Sequence, residues 1–237
     1  MGEVHPLFDL TIAGYHLVIT DSVVYNIVMQ WAIMLLIVII VSIFTRKFNT
    51  VPKGAQVWVE TIVEKVNGLV RDNMGENYMR FAPYIGTLMI YLLLLNLIGL
   101  IGLRPPTTDY SVTLGLALMS FVIIHATAIK RNGLGHYLAG YAHPYAFMLP
   151  LNIVERFVVP VSLSLRLFGN ITAAVIIVEL LYEGLAHFSH LMHLPVPLLQ
   201  AVIPIPFHLY FDIFDGSIQM FIFVMLTMIF TKTTTEH

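Results

Sequence analysis

The chain has 237 residues, 58% of them apolar and 11% charged, less than half of the roughly 25% charged share of a soluble domain, so an ordinary globular enzyme is excluded. Twelve Lys and Arg stand against 14 Asp and Glu, a net charge of −2, without the basic surplus that a nucleic-acid binder needs to neutralise phosphates. Cysteine is absent, which removes disulfide scaffolds, thiolate metal sites and cysteine nucleophiles, and a mean hydropathy of +0.83 points to the bilayer.

The N-terminal run MGEVHPLFDLTIAGYH has neither the basic nor the apolar region of a signal peptide, and residues 1–21 are expected to remain as a short tail. Residues 22–45 carry no charge and are long enough to cross a hydrocarbon core of roughly 30 Å as a first span. Arg46-Lys47 end it, and Val51-Pro52-Lys53-Gly54 is a turn signal. In residues 55–72 the polar positions Glu60, Glu64, Asn67 and Arg71 recur at helical spacing. Val59, Ile62, Val63, Val66, Leu69 and Val70 take the rest of the wheel, as in an amphipathic helix lying at the membrane interface. A second span covers 81–103, with Asn96 as its one strongly polar residue, and stops at Arg104-Pro105-Pro106. A third covers 111–129, and 130–150 reads as an ordered loop rich in Gly, aromatic and His side chains.

The last two segments are too long for a simple crossing. Residues 151–187 would reach roughly 55 Å at 1.5 Å per residue, so that helix must tilt or bend. Residues 202–232, with Pro204 and Pro206 near the start, form the other arm of a slanted hairpin. The expected fold is therefore an all-α integral membrane protein of about five transmembrane helices plus one interfacial helix. With the N-terminus outside, nine of the twelve basic residues fall on the cytoplasmic side and Arg104 alone lies outside, which agrees with the positive-inside rule. No internal or inverted repeat is visible.

The remaining two basic residues, Arg156 and Arg166, lie within the long hairpin helix. Arg166 is far from either end, where an arginine costs roughly 2.5–3.5 kcal/mol and faces a partner or an aqueous cavity rather than lipid. It cannot escape by losing its proton. Ser162 and Asn170, four residues to either side, share its face. Glu155 precedes it by about 16 Å, and Glu179 and Glu183 follow by about 20 and 26 Å along the axis. His208, Asp212 and Asp215 precede Gln219 in the final helix, so the outer half of the hairpin gathers four carboxylates and an imidazole. That many ionisable groups at membrane depth indicate a hydrated ion path.

The run PVSLSLRLFGN at 160–170, paired with IQMFIFVMLTM at 218–228, resembles subunit a of the F-type rotary ATP synthases. LLLLNLIGL, PTTDYSVTLGLAL and LNIVERF extend the likeness over most of the chain. The resemblance implies a non-catalytic stator in a bacterial plasma membrane, holding two offset half-channels against a ring of c subunits, with the b-subunit peripheral stalk and the other synthase subunits as further partners. By that likeness Arg166 is the stator arginine, with Asn170 and Gln219 as polar neighbours, and Asp212 takes a position where the family carries His or an acid. Nine residues after the arginine the family has a polar residue where this chain has Val175. Glu179, one turn on, is assigned the missing role, with Asp215 as a second candidate.

The outer half-channel candidates are then Glu179, Glu183, Asp212, Asp215 and His208, and the inner ones Glu155 and Asn96. No cofactor is expected, and the translocated ion, H⁺ or Na⁺, is bound by a carboxylate on the ring. Duller readings stand beside these: Asn96 as an interhelical hydrogen-bonding residue, Glu155-Arg156 as an interfacial pair, Glu183 as simply solvated, and His125 as packing. His187, His190 and His193 invite a metal reading, but steps of three diverge around the wheel and no acid is near. Two other classes compete. A secondary ion transporter needs broken helices in two related halves, and an intramembrane hydrolase needs a nucleophile facing a base, for which Ser162 or Ser164 with His208 would have to serve.

Overall fold

A computed structural model of the chain describes residues 6–12, 15–45, 52–135, 137, 147, 149–192 and 198–236. The chain divides into two compact units, residues 1–56 and 57–237. Among the described residues five helices are long and apolar enough to cross a membrane, and the protein is an all-helical membrane protein apart from one small hairpin.

That hairpin corrects the expectation of an N-terminal tail. Strands β1 (Pro6–Ile12) and β2 (Tyr15–Thr20) pair antiparallel, with Phe8 opposite Ile19, Leu10 opposite Leu17 and Ile12 opposite Tyr15. The alternation of apolar residues at period two in PLFDLTI and YHLVIT is the strand signal. Helix α1 (Asp21–Thr45) follows directly, and its large apolar side chains, Trp31 and Ile39 among them, are exposed.

In the second unit, α2 (Ala55–Met74) buries Val66, Val70 and Met74 at steps of four and exposes Trp58, Ile62 and Val63, so its two halves face different surroundings. A 3₁₀ turn (Glu76–Phe81) leads into α3 (Ala82–Leu97), which ends in a second 3₁₀ turn (Ile98–Ile101). After a short 3₁₀ turn at Pro106–Thr108, α4 (Tyr110–Asn132) is capped by Asp109, whose carboxylate accepts from Ser111 N at 2.9 Å. Most of the 130–150 loop and His193 lie outside the described residues.

Helix α5 (Leu149–Leu191) runs 43 residues, about 65 Å. Pro160 sits inside it, buried, and the N–H that proline lacks interrupts the helical ladder to the carbonyl four residues back, a point of bending. The final span, expected over 202–232, runs from Leu199 to Glu236 and changes its winding along the way. It is built as α6 (Leu198–Val202), α7 (Pro204–His208), a π-helical segment (Leu209–Asp215) and α8 (Gly216–Glu236).

The core lies where α3, α4, α5 and α8 meet. Helix α4 offers a stripe of small residues, Thr113, Ala117, Ser120 and Ala128, all buried, beside Leu163, Leu167, Ile171 and Ala174 of α5 and Phe223, Val224 and Met228 of α8. Small side chains let membrane helices approach closely enough to gain dispersion contact, the main attraction where lipid removes the hydrophobic difference. Buried threonines on α8 return their hydroxyls to carbonyls one turn back: Thr227 to Phe223 at 2.8 Å, Thr231 to Thr227 at 2.7 Å, and Thr235 to Thr231.

Candidate functional site

Arg166 lies on the exposed side of α5, with Ser162 and Asn170 exposed on the same face, opposite the stripe that packs against α4 and α8. Among the described residues its guanidinium makes no hydrogen bond or ion pair. Helix geometry dictates the arrangement: positions 163, 167, 171, 174 and 178 face inward, so 162, 166, 170 and 173 face out. A permanently charged group is therefore held at depth and directed away from this chain's own core. Glu179 and Glu183 are exposed and have no hydrogen-bond partner among the described residues.

The other ionisable groups gather at the end of the bundle where α3 stops and α8 begins. His208 Nδ1 and Asp212 Oδ2 are 2.6 Å apart, one turn from each other. The other ring nitrogen, Nε2, is 3.2 Å from Tyr182 Oη of α5. Tyr182 in turn is tied to the short helices, because Gln200 Nε2 donates to its carbonyl at 3.1 Å. The π segment widens the helix by one residue per turn and sets Asp212 against Gly99. A Cβ on Gly99 would stand 2.7 Å from Asp212 Oδ1, so glycine is what permits the approach. Asp215 is half-buried on the same segment and has no hydrogen bond among the described residues. Gln219, one turn into α8, is buried and likewise makes none.

Asn96 belongs to this same end, which corrects its grouping with Glu155. Its Nδ2 donates to the Gly216 carbonyl at 3.0 Å, and its Oδ1 accepts from Thr107 Oγ1 at 3.2 Å. Asn96 is 1% exposed, and a Cβ on Gly216 would lie 3.2 Å from its own Cβ, so α3 and α8 are in close contact there. Glu155 sits beside Arg156, whose Nη1 donates to Thr234 Oγ1 at the far end of α8. Eighteen residues of α8 separate Gly216 from Thr234, about 27 Å, and at that far end Asn132 Nδ2 also donates to the Thr235 carbonyl at 2.8 Å.

Sequence reasoning passed over Tyr182, Thr107 and Gly99. Each becomes a neighbour of the site only through contacts between helices or across a turn, and none carries a charge to draw attention. His125 pairs with Tyr137, Nδ1 to Oη at 2.6 Å, and stands edge-on to Phe121. His187 and His190 are exposed, and no group of metal-ligating side chains occurs among the described residues.

A bundle of membrane-spanning helices that carries an arginine on the exposed face of its longest helix, and a carboxylate–imidazole pair at one end, has the arrangement of an ion-translocating membrane protein. The family described as "ATP synthase A chain" matches residues 27–232. A subunit a of ATP synthase from Moorella thermoacetica is 35% identical over 86% of this chain and 87% of its own. Another from Macrococcus caseolyticus is 33% identical over the full length of both. A third, from Propionigenium modestum, described as sodium ion specific, is 31% identical over 89% of this chain and 73% of its own. The chain belongs to the ATP synthase A chain family and is a membrane-sector component of the ATP synthase, with the stator's part in ion translocation.

Proposed function

We propose that this chain lies against a ring of c subunits and separates two offset half-channels with Arg166, in a bacterial plasma membrane with its N-terminus outside and its C-terminus in the cytoplasm. The supporting observation is that Arg166 stands exposed at depth on α5 with no partner among the described residues. That placement costs several kcal/mol in lipid, whereas a carboxylate carried past by a neighbouring subunit satisfies it. A ring carboxylate crosses lipid only when neutral, loaded with its ion. Beside Arg166 the fixed positive charge favours the ionised form, and the ion leaves into one half-channel. The same charge bars ions from passing straight between the half-channels. Each charge moved through the potential contributes roughly 2.3 kcal/mol per 100 mV, delivered as rotation. In this reading the chain itself is non-catalytic, nucleotide chemistry belongs to other subunits, and the b-subunit stalk holds it still.

The absence of cysteine makes a direct test clean. Ala173 is two turns from Arg166 on the exposed face, and Ala174 beside it is buried. With a single cysteine placed on the c-subunit helix that bears the ion-binding carboxylate, Ala173→Cys is expected to form the a–c disulfide and Ala174→Cys to fail. Equal yields, or none from Ala173→Cys, would sink the docking face.

Glu179 is proposed to serve in place of the family's polar residue at Val175. Glu179→Gln should then slow ATP-driven ion uptake into vesicles at least about tenfold more than Glu183→Gln, a difference of roughly 1.4 kcal/mol. Similar rates in the two variants would remove Glu179 from the path.

A further inference from the structure

We infer that the cavity between α4 and α5 beside Arg156 is a binding site for an anionic phospholipid. The cavity measures about 580 Å³, within the range of sites that hold small molecules. Its walls are the apolar side chains of Phe121, Leu149, Ile153 and Phe157, and its polar edge is Arg156 with the His125–Tyr137 pair. Phe157 is 62% exposed, so the cavity opens on the flank of a membrane-embedded bundle, where acyl chains are the solvent.

Depth matches an amphiphile. Arg156 is fixed level with the helix ends, because its Nη1 donates to Thr234, two residues before α8 stops at Glu236. At the same level Asn132, the last residue of α4, bonds the Thr235 carbonyl. Phe121 lies eleven residues further along α4, about 16 Å deeper. The cavity therefore runs from Leu149 at the start of α5, past Arg156, to the Phe121 and Phe157 rings, which lie 6.0 Å apart, so a cation stands between two apolar stretches where a headgroup joins its acyl chains.

Charge favours an anionic headgroup over a zwitterionic one. The guanidinium is a planar fork of donors that matches phosphate oxygens, and it is the one cation among the described lining side chains. Basic pockets between helices on the cytoplasmic side are where anionic headgroups are held. Glu155 is exposed next to Arg156, but it stands about 100° round the helix and is not among the lining side chains.

The site is tested on the intact ATP synthase in phosphatidylcholine vesicles. One of two photoactivatable probes with the same diazirine-bearing acyl chain is added, phosphatidylglycerol or phosphatidylcholine, and labelled residues are read by mass spectrometry. Phosphatidylglycerol is expected to label residues 121–125 and 149–157 about fivefold more than phosphatidylcholine, the effect of roughly one cation near a headgroup. Arg156→Gln should remove the preference and Arg156→Lys should keep most of it. Should Arg156→Gln fail to assemble, Ile153→Trp fills the cavity without touching the cation and should lower labelling by both probes. Equal labelling of the unmodified complex by the two probes overturns the site. So does no labelling, or capture of a neighbouring subunit by benzoylphenylalanine placed at Phe157. Labelling is read independently of ion pumping, so its failure leaves the stator reading standing.

Discussion

Replacing Arg166 with alanine is expected to abolish ATP-driven ion pumping in vesicles while the complex still assembles. The side chain is exposed on α5 and bonds nothing among the described residues, so its removal orphans no buried group and leaves the packing of the core intact. Folding should therefore survive, and the loss should fall on function alone. Without the cation, a ring carboxylate arriving at the stator has no reason to ionise, and the electrostatic barrier between the half-channels is gone. Arg166→Lys should rescue poorly, because an ammonium is a compact, strongly hydrated charge rather than a delocalised fork. The measurement is ion uptake on ATP addition, beside subunit stoichiometry of the purified complex. Normal pumping by the alanine variant would overturn the assignment, and loss of assembly would make Arg166 a structural ion-pair residue instead.

The second large effect is expected at Asn96, and it should be one of stability. Asn96 bridges α3 to α8 through the Gly216 carbonyl and holds Thr107 on its other side. Asn96→Leu preserves much of the volume but strips both partners of their hydrogen bond. Each buried polar group left unsatisfied costs about 1–3 kcal/mol, and a residue 1% exposed leaves no room for water to replace the bonds. Thermal denaturation of the detergent-solubilised complex should shift down, with α3 parting from α8. Asn96→Asp, ionised, would set an unpaired buried charge against the Gly216 carbonyl and should destabilise at least as much as Asn96→Leu. If Asn96→Leu is as stable as the unmodified protein, the bridge is not what joins these helices.

Much of this was legible in the chain because membranes make polarity expensive. Five spans and the amphipathic α2 follow from where charges are absent or periodic, and Arg166 stands out because a guanidinium at depth needs a reason. The N-terminal hairpin was less visible: its alternation is present in the residues, yet two short stretches of mixed polarity carry little weight beside the long uncharged runs that follow. Asn96 shows a different limit. Its polarity marks it within α3, but its partner Gly216 is 120 positions away, and depth along one helix does not reveal which neighbour it meets. Tyr182 and Gly99 are harder still, since one acts through a hydroxyl on a neighbouring helix and the other through the side chain it lacks. The π segment could not be read from periodicity, because so short a run holds too few turns to separate one helical period from another.

That widened segment bears on how the last span is tuned. A π turn is an α-helix with one residue to spare, so removing a residue between 209 and 215 would restore ordinary winding and rotate everything before it by about 100° relative to α8. His208 would swing away from Tyr182 while the buried face of α8 stayed seated against α3 and α4. The span thus works as a shaft with a coupling in it: the lower part is clamped into the stator, and the angle at which the ionisable groups are presented is set separately by a single spare residue.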